Sequence, residues 1–409
     1  MRRPRAMAVS LGALNATFFF MADVQGGLGP FLGIYLQSRD WSPQEIGLAM
    51  TIGGLAGMAA TAPFGALVDV TRAKRALVIA ATAAITAASL AILFAHGFVV
   101  VAATQAIGGI AGAAIGPALA GITLGLVGQQ GYPKQLGRTQ AFNHAGNVTA
   151  AVLAGGLGYL FGIGAVFGVL AAMALASALS VAFIDPDRID YRKARGLSRE
   201  EADEASGWSV LATCTPLLLL AATLMLFHLG NAAMLPLLGQ SLAAAKAGDP
   251  SAFTGATVVI AQLTMLPMAL LAARLAEVRG YWIVFLLALL ALPLRAVLAA
   301  AIAGPIAIVP VQILDGVGAG LLGVAVPGLV ARILYGTGHV NAGLGAVMTL
   351  QGVGASLSTT LAGWLAQTFG YATAFLGLGA VAFAALILWM AARPLTAQAY
   401  GNETPRDAT

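Results

Sequence analysis

Long apolar stretches alternate with short polar ones along almost the whole chain. A helix needs about 20 apolar residues to cross a bilayer, and twelve stretches reach that length. Because backbone groups in lipid must bond within their own segment, each stretch is predicted to be a helix. The predicted spans are 8–37, 43–68, 75–96, 98–128, 138–161, 163–184, 210–243, 252–273, 281–302, 305–335, 341–367 and 371–392.

The amino-acid composition indicates which class of protein carries this pattern. Hydrophobic residues make up 59% of the 409 residues and charged residues only 9%, whereas a soluble domain is about 25% charged. A surface this apolar needs lipid around it. We therefore predict an all-α integral membrane protein, with membrane lipid as one of its partners.

The basic residues orient the predicted spans. If the N-terminus lies in the cytoplasm, all but three of the 21 Lys and Arg residues fall in cytoplasmic segments or tails. The exceptions are Arg39, Lys246 and Arg295. The positive-inside rule then predicts a multi-pass protein with both termini cytoplasmic, in a plasma membrane of the bacterial inner-membrane type. Because topology accounts for the net charge of +5, we expect no nucleic-acid partner.

One charged segment divides the twelve spans into six and six. The stretch from Asp185 to Trp208 carries five basic and seven acidic residues, which is typical of a solvated linker. The predicted domains are an N-terminal six-helix bundle over 1–185, a cytoplasmic linker over 186–209, a C-terminal six-helix bundle over 210–393 and a cytoplasmic tail over 394–409.

The two halves align as repeats when the first is shifted by 206 to 208 residues. Gln25 then falls on Asn231, and "QAIGGIAGAAIG" from Gln105 falls on "QILDGVGAGLLG" from Gln312. The glycines of these two segments allow close contact between helices. A duplicated six-helix unit with a substrate site between its halves is a transporter architecture.

The loop after the second span contains "GALVDVTRAKR", and through it the chain resembles the major facilitator superfamily. The resemblance covers nearly the whole chain and implies two six-helix bundles whose first, fourth, seventh and tenth spans line a cavity. It also implies a latch at the cytoplasmic face, in which a glycine lets two helices approach closely. Ala73 departs from the family pattern, which has a basic residue there. The latch residues carried over are Gly65, Asp69, Lys74 and Arg75.

Several polar residues lie within the predicted spans, where a charge costs about 2.5–3.5 kcal/mol on insertion scales. Asp23 lies near the midpoint of the first span. A carboxylate there can carry a proton or hold a cationic group; the alternative is a structural hydrogen bond. His144 can accept a proton or tie two helices together. Its neighbours Asn143 and Asn147 share a helix face.

Arg295 and Asp315 are the remaining buried charges. The turn between their spans is near Gly304, nine residues after Arg295 and eleven before Asp315. A helical hairpin puts them at similar depth, where pairing removes most of the cost of either charge. We predict a structural ion pair, with a coupling role for Asp315 as the alternative.

These features predict a secondary transporter that moves a small solute by alternating access, coupled to protons through Asp23, His144 or Asp315. Alternatives are an uncoupled facilitator and a non-transporting receptor or scaffold. No Walker motif is present, so ATP is not expected to drive transport. We expect a monomer with no cofactor, no metal site and no enzyme activity. The lack of an arginine cluster favours a neutral, amphiphilic or cationic solute. The predicted cavity residues are Asp23, Gln25, Gln105, Asn143, Asn147, Asn231, Gln312 and Gln351.

Overall fold

The computed structural model describes residues 2–25, 27–94, 97–191, 213–334 and 340–394, without the side chains of residues 2–6, 69, 129, 133 and 341. Over these residues the chain forms helices and no β-strand. The predicted all-α class is confirmed. Most of the linker 186–209 and almost all of the tail 394–409 lie outside the described residues, and so do their predicted features.

The chain divides into two compact units, which differ slightly from the predicted domains. One unit comprises Met1–Leu36 and Ile52–Asp203, and the other comprises Gln37–Thr51 and Glu204–Thr409. The segment Gln37–Thr51 therefore groups with the C-terminal helices, although the sequence assigned it to the N-terminal bundle. Within the second unit, Thr51 Oγ1 donates a hydrogen bond of 2.7 Å to the carbonyl of Ser356.

Six helices carry the N-terminal half of the chain, and α1 and α4 both pack against α5. Their bounds are α1 Arg2–Val24, α2 Pro30–Gln37, α3 Pro43–Val70, α4 Lys74–Ala91, α5 Phe98–Phe161 and α6 Ala165–Ala182.

In the C-terminal half, α9 packs along α11, and α7 packs against α12 and α13. Phe285 stacks on Trp389 at 4.6 Å between ring centroids, in the core of this unit. The bounds are α7 Thr215–Asn231, α8 Met234–Ala244, α9 Pro250–Arg279, α10 Tyr281–Ala301, α11 Ile308–Ile333, α12 Val340–Phe369 and α13 Tyr371–Ala391.

Ten stretches of the described helices are long and apolar enough to cross a membrane. The predicted fifth and eleventh spans are helical too, but they are not among those ten. Each of these spans carries several polar side chains, which include Asn143 and Asn147 in the fifth span and Gln351 in the eleventh. The two spans that are less apolar thus hold three of the eight predicted cavity residues.

The first and seventh spans are each broken in the middle. α1 ends at Val24 and α2 begins at Pro30, with Gly27 and Gly29 between them at positive φ of 59° and 49°. In the seventh span α7 ends at Asn231 and α8 begins at Met234. The breaks therefore fall at Gln25 and Asn231, the positions that the repeat aligns. Paired broken helices are where transporters of repeat architecture place their substrate sites.

The connection between the fourth and fifth spans differs from the prediction. The sequence indicated a loop over 129–137, but these residues continue the helix α5. A single residue, Gly128, leaves helical geometry, with φ 68° and ψ 175°. Because glycine has no Cβ, it adopts this left-handed φ without strain, so one residue interrupts the helix where a longer loop was expected.

Glycines bring helices into backbone contact at matching places in the two halves. A Cβ added to Gly109 of α5 would collide with the carbonyl of Gly53 in α3. A Cβ added to Gly316 of α11 would lie 2.6 Å from the carbonyl oxygen of Ala261 in α9. These are the aligned glycines of the repeat, so the close contact belongs to both halves.

Candidate functional site

The basic residues of the motif after the second span, Lys74 and Arg75, cap the ends of helices. Lys74, whose side chain is buried, donates from Nζ to the carbonyls of Val68 and Thr71 at the end of α3. Arg75 donates from Nε to the carbonyl of Val181 at 3.1 Å and from Nη2 to that of Ala182 at 2.6 Å, at the end of α6. A cation suits a helix C-terminus because the last carbonyls there are unpaired and carry partial negative charge.

The other two motif residues have a different outcome. A Cβ at Gly65 would meet no described atom within 4 Å. The same helix packs closely at Gly53 and Gly57, and the role of Gly65 in the latch stays a prediction. Asp69 lies in α3, but its side chain falls outside the described part of the chain.

Asp23 lies in the last turn of α1, directly before the break. Its side chain is half-buried, and it makes no hydrogen bond or ion pair with any described residue. The neighbouring Gln25 is exposed in the turn after α1. The first span therefore holds a carboxylate that lacks a counter-charge among the residues the structure describes.

The asparagines of the fifth span bond to their own helix and to α1. Asn147 Nδ2 donates to the carbonyl of Asn143 at 3.1 Å and to its Oδ1 at 3.2 Å, while Asn143 Nδ2 lies 3.5 Å from the carbonyl of Phe18. His144 and Gln105 are half-buried. The predicted cavity residues Asn143, Asn147 and Gln105 lie in the first unit, as does the predicted proton-coupling residue His144.

Arg295 and Asp315 lie on the neighbouring helices α10 and α11. Arg295 Nη1 is 2.8 Å from Asp315 Oδ1, and the two side chains are 1% and 15% exposed. A guanidinium with so little exposure requires a counter-charge, because an unpaired buried ion loses its hydration without compensation. The structural role of the pair stays a prediction.

Asn231 and Gln312 complete a network around this pair. Arg295 Nη1 donates to Asn231 Oδ1 at 2.5 Å, and Asn231 Nδ2 donates to Asp315 Oδ1 at 3.5 Å. Arg295 Nη2 lies 3.5 Å from Gln312 Oε1. Gln312 is fully buried and is not among the residues that line the pocket described below, so its cavity role stays a prediction.

A pocket of about 360 Å³ opens beside this network, within the second unit. Three of its eleven lining residues are polar, and the apolar wall includes Phe227 and Leu322. The polar residues come from α7 and α12: His228, Asn231 and Gln351. The structure thus brings together Asn231 and Gln351 of the predicted cavity residues in one pocket.

His228 is the pocket residue that sequence reasoning left unassigned, although it lies one turn before Asn231. Its Nδ1 is 3.0 Å from the carbonyl of Leu224. The spacing of His228 and Asn231 on one helix face was the signal that could have identified it. Among the described residues, no cluster of three or more His, Cys, Asp or Glu side chains could hold a metal ion.

Comparison with known proteins agrees with the fold. Residues 11–389 match the family model described as the MFS_1 like family. An uncharacterized MFS-type transporter of Mycobacterium tuberculosis, found in strains CDC 1551 / Oshkosh and H37Rv, is 42% identical over 397 residues, which are 96% of this chain and 94% of the relative.

Solved transporters share the same architecture. A mutant of the nucleoside transporter NupG superposes with a TM-score of 0.76 at 14% identity, covering 94% of this chain and 99% of the other. A mutant of the peptide transporter POT in complex with sulfate gives 0.74 at 12% identity, with coverages of 98% and 100%. At these identities the likeness establishes the fold alone. Together with the match to the family model and the mycobacterial relative, it shows that the chain belongs to the MFS_1-like family, as a multi-pass membrane transporter of the major facilitator superfamily and not an enzyme.

Proposed function

We propose that this transporter moves a small solute by alternating access and couples the movement to protons through Asp23. The observation that carries the proposal is the isolation of this carboxylate: it is half-buried in a membrane-spanning helix, and no described residue pairs with it. A charge inside the bilayer costs about 2.5–3.5 kcal/mol on insertion scales. Binding a proton removes that cost, so the side chain is suited to be charged in one state and neutral in another.

Asp315 supports this choice by contrast. It already has a counter-charge 2.8 Å away in Arg295. Neutralising Asp315 would leave that guanidinium unpaired, whereas neutralising Asp23 breaks no contact with a described residue. Asp23 is therefore the stronger candidate for proton coupling, and Asp315 is proposed as structural. His144 remains a secondary proposal for the proton path.

The proposed substrate path runs past the polar residues that the sequence predicted to line the cavity. In the first unit these are Gln25, Gln105, Asn143 and Asn147, with Asp23 beside them. Their uncharged side chains offer hydrogen bonds to a solute in the membrane without adding the cost of further charges. The family membership supports a transported small-molecule substrate, and its identity is sought by a screen.

The test is solute-driven proton movement in proteoliposomes that contain a pH-sensitive dye. A panel of sugars, amines, nucleosides, peptides and neutral aromatics is screened on wild type, Asp23→Asn and Asp23→Glu. We expect at least one solute to move protons through wild type, at least a tenfold loss with Asp23→Asn, and retention of coupling with Asp23→Glu. Uncoupled flux of the same solute through Asp23→Asn would identify Asp23 as the coupling group.

Asp40→Asn is the matched control. Asp40 is an exposed carboxylate with φ of 62°, a conformation that asparagine tolerates. It should leave coupling unchanged. Full gradient-driven transport by Asp23→Asn would refute the coupling assignment, and absence of flux for the whole panel in wild type would favour a receptor or scaffold.

A further inference from the structure

We propose that the pocket of the second unit binds a small, electrically neutral amphiphile, held by His228, Asn231 and Gln351 against an apolar wall. The proposal rests on the transport function argued above and narrows its substrate class from neutral or cationic to neutral. The volume of about 360 Å³ is at the lower end for small-molecule sites, which indicates a compact ligand.

The orientation of Asn231 in this pocket is fixed by the ion pair behind it. A guanidinium only donates hydrogen bonds and a carboxylate only accepts them. Because Arg295 contacts Oδ1 and Asp315 contacts Nδ2 of Asn231, a flipped amide would set donor against donor and acceptor against acceptor. Arg295 and Asp315 are therefore positioning residues. They leave Asn231 one N–H and one lone pair for a ligand.

The tautomer of neutral His228 is fixed in the same way. The carbonyl of Leu224 can only accept, so the Nδ1 atom 3.0 Å away must carry the hydrogen. In the neutral ring Nε2 is then an acceptor. The pocket consequently offers a hydrogen-bond acceptor at His228 and a donor–acceptor pair at Asn231.

Gln351 supplies the adaptable contact. It lines the pocket from α12, is half-buried and makes no hydrogen bond with any described residue. When such an amide is covered, it loses hydrogen bonds to water. A ligand that bonds to it replaces them. The oxygen and nitrogen of Gln351 can each be turned toward the ligand, so it accepts a solute that presents either a donor or an acceptor.

Charge complementarity excludes ionic ligands from this pocket. None of the lining residues is charged while His228 is neutral. The two charged side chains that contact Asn231 of the pocket, Arg295 and Asp315, also contact each other at 2.8 Å and offset one another. A cation or an anion would enter without a counter-charge and would pay its desolvation in full. A neutral amide or alcohol on an apolar frame loses less water and satisfies all three polar side chains.

The experiment uses sets of probes that share one frame and differ in the charge and hydrogen bonding of a single group. Benzamide, benzoate and benzamidine share one frame, and the corresponding naphthalene and indole derivatives extend it. The melting temperature of the purified full-length protein is measured as each probe is titrated, since a ligand that binds the folded state raises it. We expect a saturable rise with at least one carboxamide, and a rise at least threefold smaller with its carboxylate and amidine.

Variants of Gln351 separate binding from general stability. Gln351→Leu should abolish the carboxamide shift. Gln351→Glu should reverse the preference so that the amidine gives the largest shift, an outcome that a folding defect cannot mimic. Thr349→Val is the control, because Thr349 is on the same helix, bonds to the carbonyl of Gly345 and does not line the pocket. It should keep the wild-type order.

The proposal is overturned if a charged probe gives the largest shift on wild type, if no carboxamide shifts the melting temperature, or if Gln351→Glu leaves the order unchanged. These readouts measure binding at equilibrium and need no gradient. If wild type binds the carboxamide but shows no proton-coupled transport, only the proposed coupling is refuted. If wild type shows coupled transport but no preference for the carboxamide, only the pocket assignment is refuted.

Discussion

Single residues inside the membrane differ here by what they touch. Asp23 has no partner among the described residues, whereas Arg295 and Asp315 contact each other and share Asn231. Substituting one member of a buried ion pair leaves its partner buried without a counter-charge and destabilises the fold. Substituting an unpaired ion leaves no such charge. The three ionisable residues therefore call for different tests.

The pair gives a prediction at this scale. Asp315→Ala should destabilise the protein by about 3–5 kcal/mol, because it leaves Arg295 buried and uncompensated. The double variant Arg295→Met, Asp315→Leu should be more stable than Asp315→Ala, since it removes both charges. Denaturant titration of the detergent-solubilised protein measures the difference. A stability of Asp315→Ala equal to wild type would contradict a structural role.

From the sequence, contacts between residues could be predicted only where they follow from the geometry of adjacent helices. Counting residues from the turn at Gly304 gave Arg295 and Asp315 a common depth. The contribution of Asn231 could not be predicted, because it joins residues 64 and 84 positions away on other helices. The close contacts at Gly53 and Gly57 could not be predicted either, because a glycine in a sequence gives no information about which face of its helix is covered.

Several helix contacts in this protein are made through glycine, which lets two backbones meet. Lipid provides no hydrophobic force between helices, so contact depends on close approach of backbones. Gly109 lies against the carbonyl of Gly53, whereas a Cβ at the adjacent Gly108 would meet nothing within 4 Å. The glycine-rich segments were predictable as contact surfaces, but which glycine makes the contact depends on the rotation of the helix about its axis.

This pair of neighbours offers a matched test. Both Gly108→Ala and Gly109→Ala gain helix propensity of about 1 kcal/mol. Only the second drives a Cβ into a carbonyl, and such overpacking costs about 1–3 kcal/mol. We expect Gly109→Ala to lower the melting temperature relative to Gly108→Ala, which should equal or exceed wild type. Equal melting temperatures for the two variants would show that the contact is not required.

The whole molecule is organised by its internal repeat. Gly146 of α5 abuts the carbonyl of Phe19 in α1, and Gly354 of α12 abuts that of Met225 in α7. The offsets between these positions are 208 and 206, the same range that aligned the sequences of the two halves. The repeat and the number of spans were accessible from sequence because hydropathy and turn residues recur. The one-residue interruption at Gly128 was not, because the nearby Gly131 and Pro133 disfavour helix and so indicated a longer loop.

Topology gives the prediction for the whole chain. With the positive-inside rule, both termini are expected in the cytoplasm. Green fluorescent protein fused at the C-terminus should fluoresce, and alkaline phosphatase fused there should be inactive. Alkaline phosphatase inserted after Arg39 or Lys246, the basic residues of the predicted outer loops, should be active. The reverse pattern would invert the assigned orientation.

Asn231 belongs to the ion-pair network and to the pocket wall at once. A solute that bonds to this amide changes its charge distribution, and the amide in turn bonds to Arg295 and Asp315. Linkage is reciprocal: if occupancy changes the strength of the Arg295–Asp315 contact by some factor, the strength of that contact changes solute affinity by the same factor. A side chain shared by two sites in this way couples their free energies.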